Sequence, residues 1–313
     1  MKTTVGLHSI SAPPQQGSAL TMGNFDGLHL GHRALVGEVV AEAQRQKWSS
    51  TLLTFAPHPV QFLKPGTCFR RLFPLSDLQR EVERLGLNHL IMEPFTQEVA
   101  LMGPEKFWQE RVAPALNPQL LVVGHDFNFG ANRKGNLEFL QELAVREGFK
   151  LRIIPPVQQG GQVVSSSRIR ELISQGKVEE AQHLLARPFS VRGVVCQGDQ
   201  KGHQLGFPTA NIKGVETLRP ARGVYITQTL VAEGQLIPSV TNVGCAPTLH
   251  TTDSGLRLES HLLEGNNWKL YNKEVEVRFF TRLRPEIKFP GAEGLKQQIA
   301  QDVRKAQEYW WKR

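Results

Sequence analysis

Hydrophobic residues in the first half of the chain form short continuous runs that alternate with helical patterns. The runs cover residues 18–23, 50–56, 89–95, 119–124 and 150–155. Amphipathic stretches separate them, and the first, after Gly31, repeats apolar residues at the helical spacing of three and four. Strands that alternate with helices are typical of a parallel sheet, so this half is predicted to be a doubly wound α/β domain.

Cap residues predict where two of these helices begin and end. Ser76 and Gln79 have the spacing of a capping box, and Gly86 follows where a left-handed residue ends a helix. Asn136 and Gly148 bracket a later helix as N-cap and stop.

The pattern changes beyond residue 187 to short alternating segments bounded by Gly, Pro or Asn. They cover residues 189–197, 223–231, 236–244, 256–265 and 274–283. A helical pattern returns at residues 291–313. This succession predicts a small antiparallel β-barrel followed by one C-terminal helix.

Two short helical stretches, residues 166–176 and 178–186, lie before this change and complete the first domain. The boundary is therefore expected next to Pro188, which gives predicted domains of residues 1–187 and 188–313. A chain of 313 residues exceeds the usual size of one compact core, which agrees with two domains.

Composition and charge limit the kinds of partner that the chain is expected to bind. The net charge of +8 favours anionic partners. Because the basic residues are scattered singly or in pairs and form no long run, nucleic-acid binding is not expected. Cys68, Cys196 and Cys245 lie far apart, which indicates neither a disulfide framework nor a zinc site. The N-terminus lacks a secretory signal and no apolar run approaches a membrane span, so a cytoplasmic location without a membrane partner is expected.

The segment "TMGNFDGLHLGHRALV", residues 21–36, joins the first strand to the first helix through a glycine-rich turn. His29 and His32, three residues apart at the helix start, project on one side. Free backbone N–H groups and two imidazoles at such a point suit a phosphate group. Taken alone, the segment is equally consistent with a glycine-rich turn that carries two surface histidines.

The same segment resembles the nucleotidylyltransferase superfamily pattern GxFDxxHxGH. The matching residues are Gly23, Phe25, Asp26, His29, Gly31 and His32. The resemblance implies a Rossmann-like domain in which the histidines and their neighbours, including Asn24, bind the phosphates of ATP. A second family segment, ISSTxxR, is similar to "VSSSRIR" at residues 164–170, where Ser166, Ser167 and Arg170 would contact the same phosphates.

The segment "GDQKGHQLGFPTANI", residues 198–212, places Gly198, Gly202 and Gly206 at intervals of four. Such glycines let a backbone approach a ligand closely, and Thr209 and Asn211 present oxygens that suit Mg²⁺. A flexible surface loop followed by a strand is the other interpretation. The segment, including Pro208, closely resembles the GxxxGxxxGxPTAN motif of riboflavin kinases.

Further blocks follow in the order of that family, so the resemblance covers nearly the whole chain and points to the prokaryotic bifunctional riboflavin kinase and FAD synthetase family. It implies that ATP phosphorylates riboflavin to FMN and that a second ATP adenylylates FMN to FAD, with Mg²⁺ as cofactor and flavins and ATP as partners. Thr209 and Asn211 would hold Mg²⁺, and Glu259 in "LESHLL" would take the proton from the riboflavin hydroxyl.

Flavin contacts are expected just beyond the strand at 119–124, where "GHDFNFG" supplies Asp126, Phe127 and Asn128. Phe127 and Phe62 are candidates for stacking on the flavin or adenine ring, with core packing as the alternative for each.

Three residues depart from the family pattern, namely Ala56, Ala246 and Asn272, which stand where glutamate, arginine and glycine are usual. Two other functions stay open at this stage. In the first alternative the chain has only one of the two activities. In the second it is a flavin- or nucleotide-binding regulator that has lost catalysis. The motif residues His29, His32, Arg170, Thr209, Asn211 and Glu259 are all present, which argues against lost catalysis.

Overall fold

The computed structural model describes residues 1–198, 205–231, 234–245, 256–265 and 269–311. By their internal contacts the residues form two compact units. The N-terminal unit comprises Met1–Phe69 and Pro74–Ser165, and the barrel unit comprises Arg70–Phe73 and Ser166–Arg313.

The N-terminal unit is built on a six-stranded parallel sheet, as the alternating pattern predicted. Its strands are β1 (Lys2–Val5), β2 (Ser18–Met22), β3 (Ser49–Ala56), β4 (His89–Pro94), β5 (Pro118–Gly124) and β6 (Lys150–Ile154). They lie in the order β1-β4-β3-β2-β5-β6. All five residues of β2 are buried, which explains why a continuous apolar run identified it.

Helices connect these strands. They are α1 (Leu30–Gln46), α2 (Pro59–Leu63), α3 (Leu75–Arg84), α4 (Gln97–Leu101), α5 (Pro104–Phe107), α6 (Ala113–Leu116) and α7 (Leu137–Glu147). A π-helical turn over Trp108–Val112 joins α5 to α6 and buries the Trp108 ring against Phe149. Two short helical turns, Leu7–Ser9 and Ala131–Arg133, and a hairpin of β7 (Gln158–Gln159) and β8 (Gln162–Val163) complete the unit.

Both cap predictions are confirmed for α7, and one of the two is confirmed for α3. Asn136 accepts a hydrogen bond from the Phe139 N–H at 2.9 Å, and Gly148 ends α7 with φ +77°. Gly86 follows α3 with φ +85°, as predicted. The capping box at Ser76 was wrong, because α3 begins one residue earlier and Ser76 already lies within it.

The barrel unit has the predicted closed antiparallel barrel and terminal helix. Its strands are β9 (Phe189–Cys196), β10 (Ala210–Lys213), β11 (Gly223–Leu230), β12 (Leu236–Cys245), β13 (Leu256–Leu262) and β14 (Glu274–Arg284), in the order β10-β13-β12-β11-β14-β9. The helices α8 (Ser166–Gln175) and α9 (Val178–Leu185) precede the barrel, and α10 (Ala292–Trp311) follows it.

Five buried hydroxyl groups form a closed ring of hydrogen bonds across β11, β12 and β13. In ring order they belong to Thr227, Ser239, Thr229, Ser260 and Thr241, with oxygen–oxygen distances of 2.7 to 3.0 Å. Each hydroxyl meets two neighbours, so each can donate once and accept once. A fully satisfied polar ring fixes the register of the three strands.

The compact units divide at Ser165 and Ser166, so α8 and α9 group with the barrel. The functional domains 1–187 and 188–313 stay a prediction, because the units group residues by contact and not by activity. The helices of the described part of the chain include none that is long and apolar enough to cross a membrane.

Candidate functional site

The first candidate site lies at the carboxyl ends of β2 and β5, which are neighbours in the sheet. The chain order reverses between these two strands, and ligands bind at such a switch point in open α/β sheets. After β2 the backbone turns through Gly23 and Gly27, with φ of +155° and +85°, and enters α1. These angles suit glycine and would strain most other residues.

His29 and His32 form a stacked pair at the start of α1. His29 is the N-cap, and its Nδ1 accepts a hydrogen bond from the His32 N–H at 3.3 Å. The two rings stack with centroids 3.7 Å apart, and the buried Phe25 ring lies 5.1 Å from the His32 ring. A Cβ at Gly31 would lie 3.2 Å from the His29 ring, so glycine gives the imidazole room.

Both histidines are electrically neutral at neutral pH. Burial lowers the pKa of His29 to about 4, an effect that the charge of Asp126 partly opposes. Burial, and then His29, hold the pKa of His32 well below its usual value. The buried His32 Nδ1 has no hydrogen-bond partner among the residues that the structure describes. An unsatisfied buried nitrogen beside a helix start indicates a site for a polar ligand.

The other predicted residues of this unit differ in exposure. Asn24 is exposed, whereas Asp26 is buried. Asp126 is exposed, and its charge raises the pKa of His29. The Asn128 side chain donates a hydrogen bond to the backbone carbonyl of Asp126 at 3.0 Å.

The two aromatic candidates both pack partly on the core. The half-buried Phe127 stacks on Phe129 with centroids 5.7 Å apart. Phe62, on α2, meets Phe95 edge-on at 5.6 Å and is 38% exposed. Phe62 is therefore partly exposed to solvent, whereas core packing accounts for much of the Phe127 surface.

Ser166 and Ser167 are the first residues of α8, and Arg170 lies one turn further on. This helix belongs to the barrel unit, whereas the histidines belong to the N-terminal unit. Within the N-terminal unit, the carbonyl oxygen of Val164 lies 3.8 Å from the position of a Cβ at Gly31.

The second candidate site is a cavity of about 320 Å³ in the barrel unit. Asn211 on β10 and Asn242 on β12 both lie opposite Glu259 on β13, so the three side chains share one face of the barrel wall. Thr209 lies two residues before Asn211, and all four line the cavity. Thr209, Asn211 and Glu259 therefore line the same cavity.

The opposite wall of this cavity is formed by α10 and the segment before it. Arg284 donates from Nε and Nη2 to Asp302 at 2.9 and 2.8 Å, and Asp302 also accepts from Gln298 at 3.1 Å. Sequence reasoning missed Asn242, Arg284 and Asp302, because closure of the barrel and the return of α10 bring them together.

Gly198 and the Pro208 carbonyl contact residues that line this cavity. A Cβ at Gly198 would overlap the Asn211 carboxamide, so glycine is required for Asn211 to occupy this position. Gly206 has φ +88°, and Gly202 lies outside the described residues. The Pro208 carbonyl accepts a hydrogen bond from His261 Nδ1 at 2.8 Å, and burial lowers the pKa of that histidine.

The oxygens of this cavity fit Mg²⁺ as part of a nucleotide complex. Thr209 offers a hydroxyl and Asn211 a carboxamide oxygen, both hard ligands, and Glu259 leaves its carboxylate beside them. Within the described residues, no three His, Cys, Asp or Glu side chains cluster as a metal cage.

A second cavity, of about 270 Å³, shares Asn211 with the first and is also lined by Gly198. Lys213 and Arg257 line it, which makes this side of Asn211 cationic.

Two of the three residues that depart from the family pattern lie within the described part of the chain. Asn272 has φ +61°, a conformation that asparagine tolerates better than most residues, and Ala56 ends β3. Ala246 lies outside the described residues.

Comparison with known proteins matches both halves of the chain. The FAD synthetase family model matches residues 11–168, and the riboflavin kinase family model matches residues 185–310. The bifunctional riboflavin kinase/FMN adenylyltransferase of Escherichia coli (strain K12) is 32% identical over 99% of this chain and 98% of its own length. The protein of the same description from Pseudomonas fluorescens is 34% identical, over 97% and 96%.

The fold is also similar to a solved structure over nearly its full length. A crystal structure described as a macrolide-efflux protein from Streptococcus pneumoniae matches with a TM-score of 0.86 and 27% identity. The match covers 98% of this chain and 99% of that one.

Proposed function

The chain belongs to the bifunctional riboflavin kinase/FMN adenylyltransferase family, and we propose that its two candidate sites divide the two reactions between them. The chain is a transferase that uses ATP and flavins. The barrel cavity phosphorylates riboflavin, and the loop of His29 and His32 serves FMN adenylylation. The observation that carries this division is the shared face of Asn211, Glu259 and Asn242 on the cavity wall.

In the barrel cavity, Glu259 orients the riboflavin 5′-hydroxyl and accepts its proton while the oxygen attacks the γ-phosphorus of ATP and ADP departs. Thr209 and Asn211 would hold Mg²⁺, which would supply positive charge to neutralise the phosphate oxygens. Gly198, Gly206 and Pro208 let the backbone approach the nucleotide, and the family motif implies the same role for Gly202. The cationic side of Asn211, with Lys213 and Arg257, receives phosphates.

In the N-terminal site, an FMN phosphate oxygen attacks the α-phosphorus of a second ATP, and pyrophosphate leaves. His29 and His32 hold the triphosphate, together with the loop of Gly23, Asn24, Phe25, Asp26 and Gly31. Ser166, Ser167 and Arg170 serve the same phosphates by resemblance to the family segment. Neutral imidazoles suit this task, because they donate N–H groups to phosphate without a buried charge in the free enzyme.

Flavin or adenine stacks on Phe62 and Phe127, and Asp126 and Asn128 supply polar contacts beside them. Phe62 is the better supported of the two aromatics, because part of its ring is exposed. A cytoplasmic location and the absence of a nucleic-acid partner stay predictions from the sequence.

A time course tests the whole assignment. The protein is incubated with riboflavin, ATP and Mg²⁺, and FMN and FAD are separated by chromatography at intervals. We expect FMN first and FAD after it, and neither product once EDTA is added. FMN without FAD indicates that only the kinase is active, and flavin binding without turnover indicates a regulator.

A further inference from the structure

His261 lies on β13 and lines the barrel cavity. In the register of β10 and β13, Ala210 pairs with Ser260, and the next pair would be Thr209 with His261. Strand β10 begins at Ala210, so Thr209 lies just outside the ladder of backbone hydrogen bonds. The ladder therefore leaves the position of Thr209 to other contacts.

The His261 side chain makes two contacts with the segment that leads to Thr209. Its Nδ1 donates a hydrogen bond to the Pro208 carbonyl at 2.8 Å, since a carbonyl oxygen can only accept. Its ring also meets the Phe207 ring edge-on, with centroids 5.6 Å apart and an interplanar angle of 84°. One half-buried side chain thus holds the two residues that precede Thr209.

The Pro208 carbonyl determines where Thr209 lies. A peptide unit is planar, so the carbonyl oxygen of Pro208 belongs to one rigid group with the N and Cα atoms of Thr209. The proline ring fixes the φ angle of Pro208, and the β-branched Thr209 side chain has few rotamers. A hydrogen bond to that oxygen therefore limits the positions open to the Thr209 hydroxyl at the cavity wall.

We propose that His261 is a positioning residue for riboflavin phosphorylation. It acts through the Pro208 carbonyl, which sets the place of the Thr209 hydroxyl, and all three residues belong to the barrel unit. The inference rests on the proposed function of Thr209 as a ligand of Mg²⁺. It adds a side chain from β13 to a metal site whose proposed ligands, Thr209 and Asn211, come from a single motif.

Two variants of the full chain separate the hydrogen bond from ring packing. His261→Phe keeps an aromatic ring and removes the donor, whereas His261→Asn removes the ring and keeps an N–H donor near the position of Nδ1. Groups that orient a metal ligand typically contribute about 10- to 100-fold to metal affinity. We therefore expect the Mg²⁺ concentration for half-maximal riboflavin phosphorylation to rise about tenfold in His261→Phe and to stay near the wild-type value in His261→Asn.

A second measurement follows binding without turnover. Mg²⁺ is titrated into the protein in the presence of ADP, and hydrogen exchange is measured for the peptide of residues 205–213, which lies at the barrel cavity. The Mg²⁺ concentration that gives half of the protection should shift in His261→Phe as the kinetic value does. His183→Phe is the matched control, because His183 is exposed on α9 and does not line the cavity, so both values should be unchanged.

An unchanged Mg²⁺ requirement in His261→Phe overturns the inference, as does an equal rise in both variants, which would assign the effect to the ring. A higher KM for riboflavin with a normal Mg²⁺ requirement also overturns it, because His261 would then contact the flavin itself. Thr209→Val, which removes the hydroxyl at nearly the same size, separates the two proposals. If its Mg²⁺ requirement is normal, the role proposed for Thr209 is wrong and the inference falls with it, whereas a rise in Thr209→Val without one in His261→Phe removes the inference alone.

Discussion

Glu259 lies directly opposite Asn211 on neighbouring antiparallel strands, with both side chains on the wall of one cavity. The pairing joins two residues that are 48 positions apart in the chain (259 − 211). Opposite residues in such strands lie within about 5.5 Å at Cβ, so the Glu259 carboxylate and the Asn211 carboxamide are near enough to contact one ligand. This register places Glu259, the proposed base, beside Asn211, the proposed metal ligand.

The first prediction concerns that base. Glu259→Gln keeps the size and polarity of the side chain but removes the proton acceptor, so riboflavin phosphorylation should fall on the order of 10²- to 10⁴-fold in kcat. FMN adenylylation should be unchanged. Chromatography of products from riboflavin and, separately, from FMN measures both reactions.

Glu274→Gln is the control for this change, because Glu274 is an exposed carboxylate on β14 that does not line the cavity. Normal FMN formation by the Glu259→Gln protein would remove Glu259 as the base. Loss of both reactions would instead mean that the two sites are not independent.

The second prediction concerns Gly198. An alanine methyl group there overlaps the Asn211 carboxamide, so Asn211 must turn away from its present position. We expect the Mg²⁺ concentration for half-maximal riboflavin phosphorylation to rise about tenfold, which corresponds to ~1.4 kcal/mol. Gly291→Ala is the control, because no described atom lies within 4 Å of its added Cβ. Identical Mg²⁺ titrations for the two variants would show that Asn211 does not hold the metal.

The third prediction concerns acid stability. A histidine in the unfolded chain titrates near its ordinary pKa of 6.5, whereas burial lowers the pKa of His29 to about 4. Between these pH values the unfolded chain binds a proton that the folded chain does not, so stability is lost as the pH falls from 6.5 towards 4. Hydrogen exchange of the β2 amides, measured across that range, reports the opening free energy.

His29→Asn keeps an N-cap residue and removes the titrating group, so it should reduce the pH dependence of β2 protection. The dependence should not vanish, because the pKa of His32 is lowered as well. The exposed His8 serves as the control, and His8→Asn should leave the profile unchanged. A profile that is the same with and without His29 would contradict this explanation.

The fold could be predicted where burial leaves a clear pattern in the sequence. Strand β2 is buried on both faces, so its sequence pattern was enough to predict it. Strand β1 has exposed ends and only four residues, so the sequence pattern did not reveal it. Ser76 failed as a cap because proline at position 74 sets the helix start, and spacing alone does not show which residue begins a helix.

Some residues of the candidate sites could likewise be predicted from the sequence, and others could not. Residues within one short motif, such as His29 and His32 or Thr209 and Asn211, could be read from the sequence because glycine and helix-start signals accompany them. Asn242, Arg284 and Asp302 come from two strands and a distant helix. Only the closed barrel shows that they face the same cavity, since register is a property of paired strands.

The last prediction separates the effect of crowding the His29 imidazole from the effect of helix stability. Gly31 and Gly37 both lie in α1, where alanine in place of glycine favours the helix by roughly 0.5–1 kcal/mol. A Cβ at Gly31 would lie 3.2 Å from His29 Cε1, so the imidazole must move by a few tenths of an ångström, whereas no described atom lies within 4 Å of a Cβ at Gly37. Gly37→Ala should therefore raise stability and leave FAD formation unchanged. Gly31→Ala should lower kcat/KM for FMN adenylylation about tenfold, because the displaced imidazole no longer meets the phosphates correctly, with riboflavin phosphorylation intact. Equal rates of FAD formation in the two variants would show that the position of His29 does not limit the reaction.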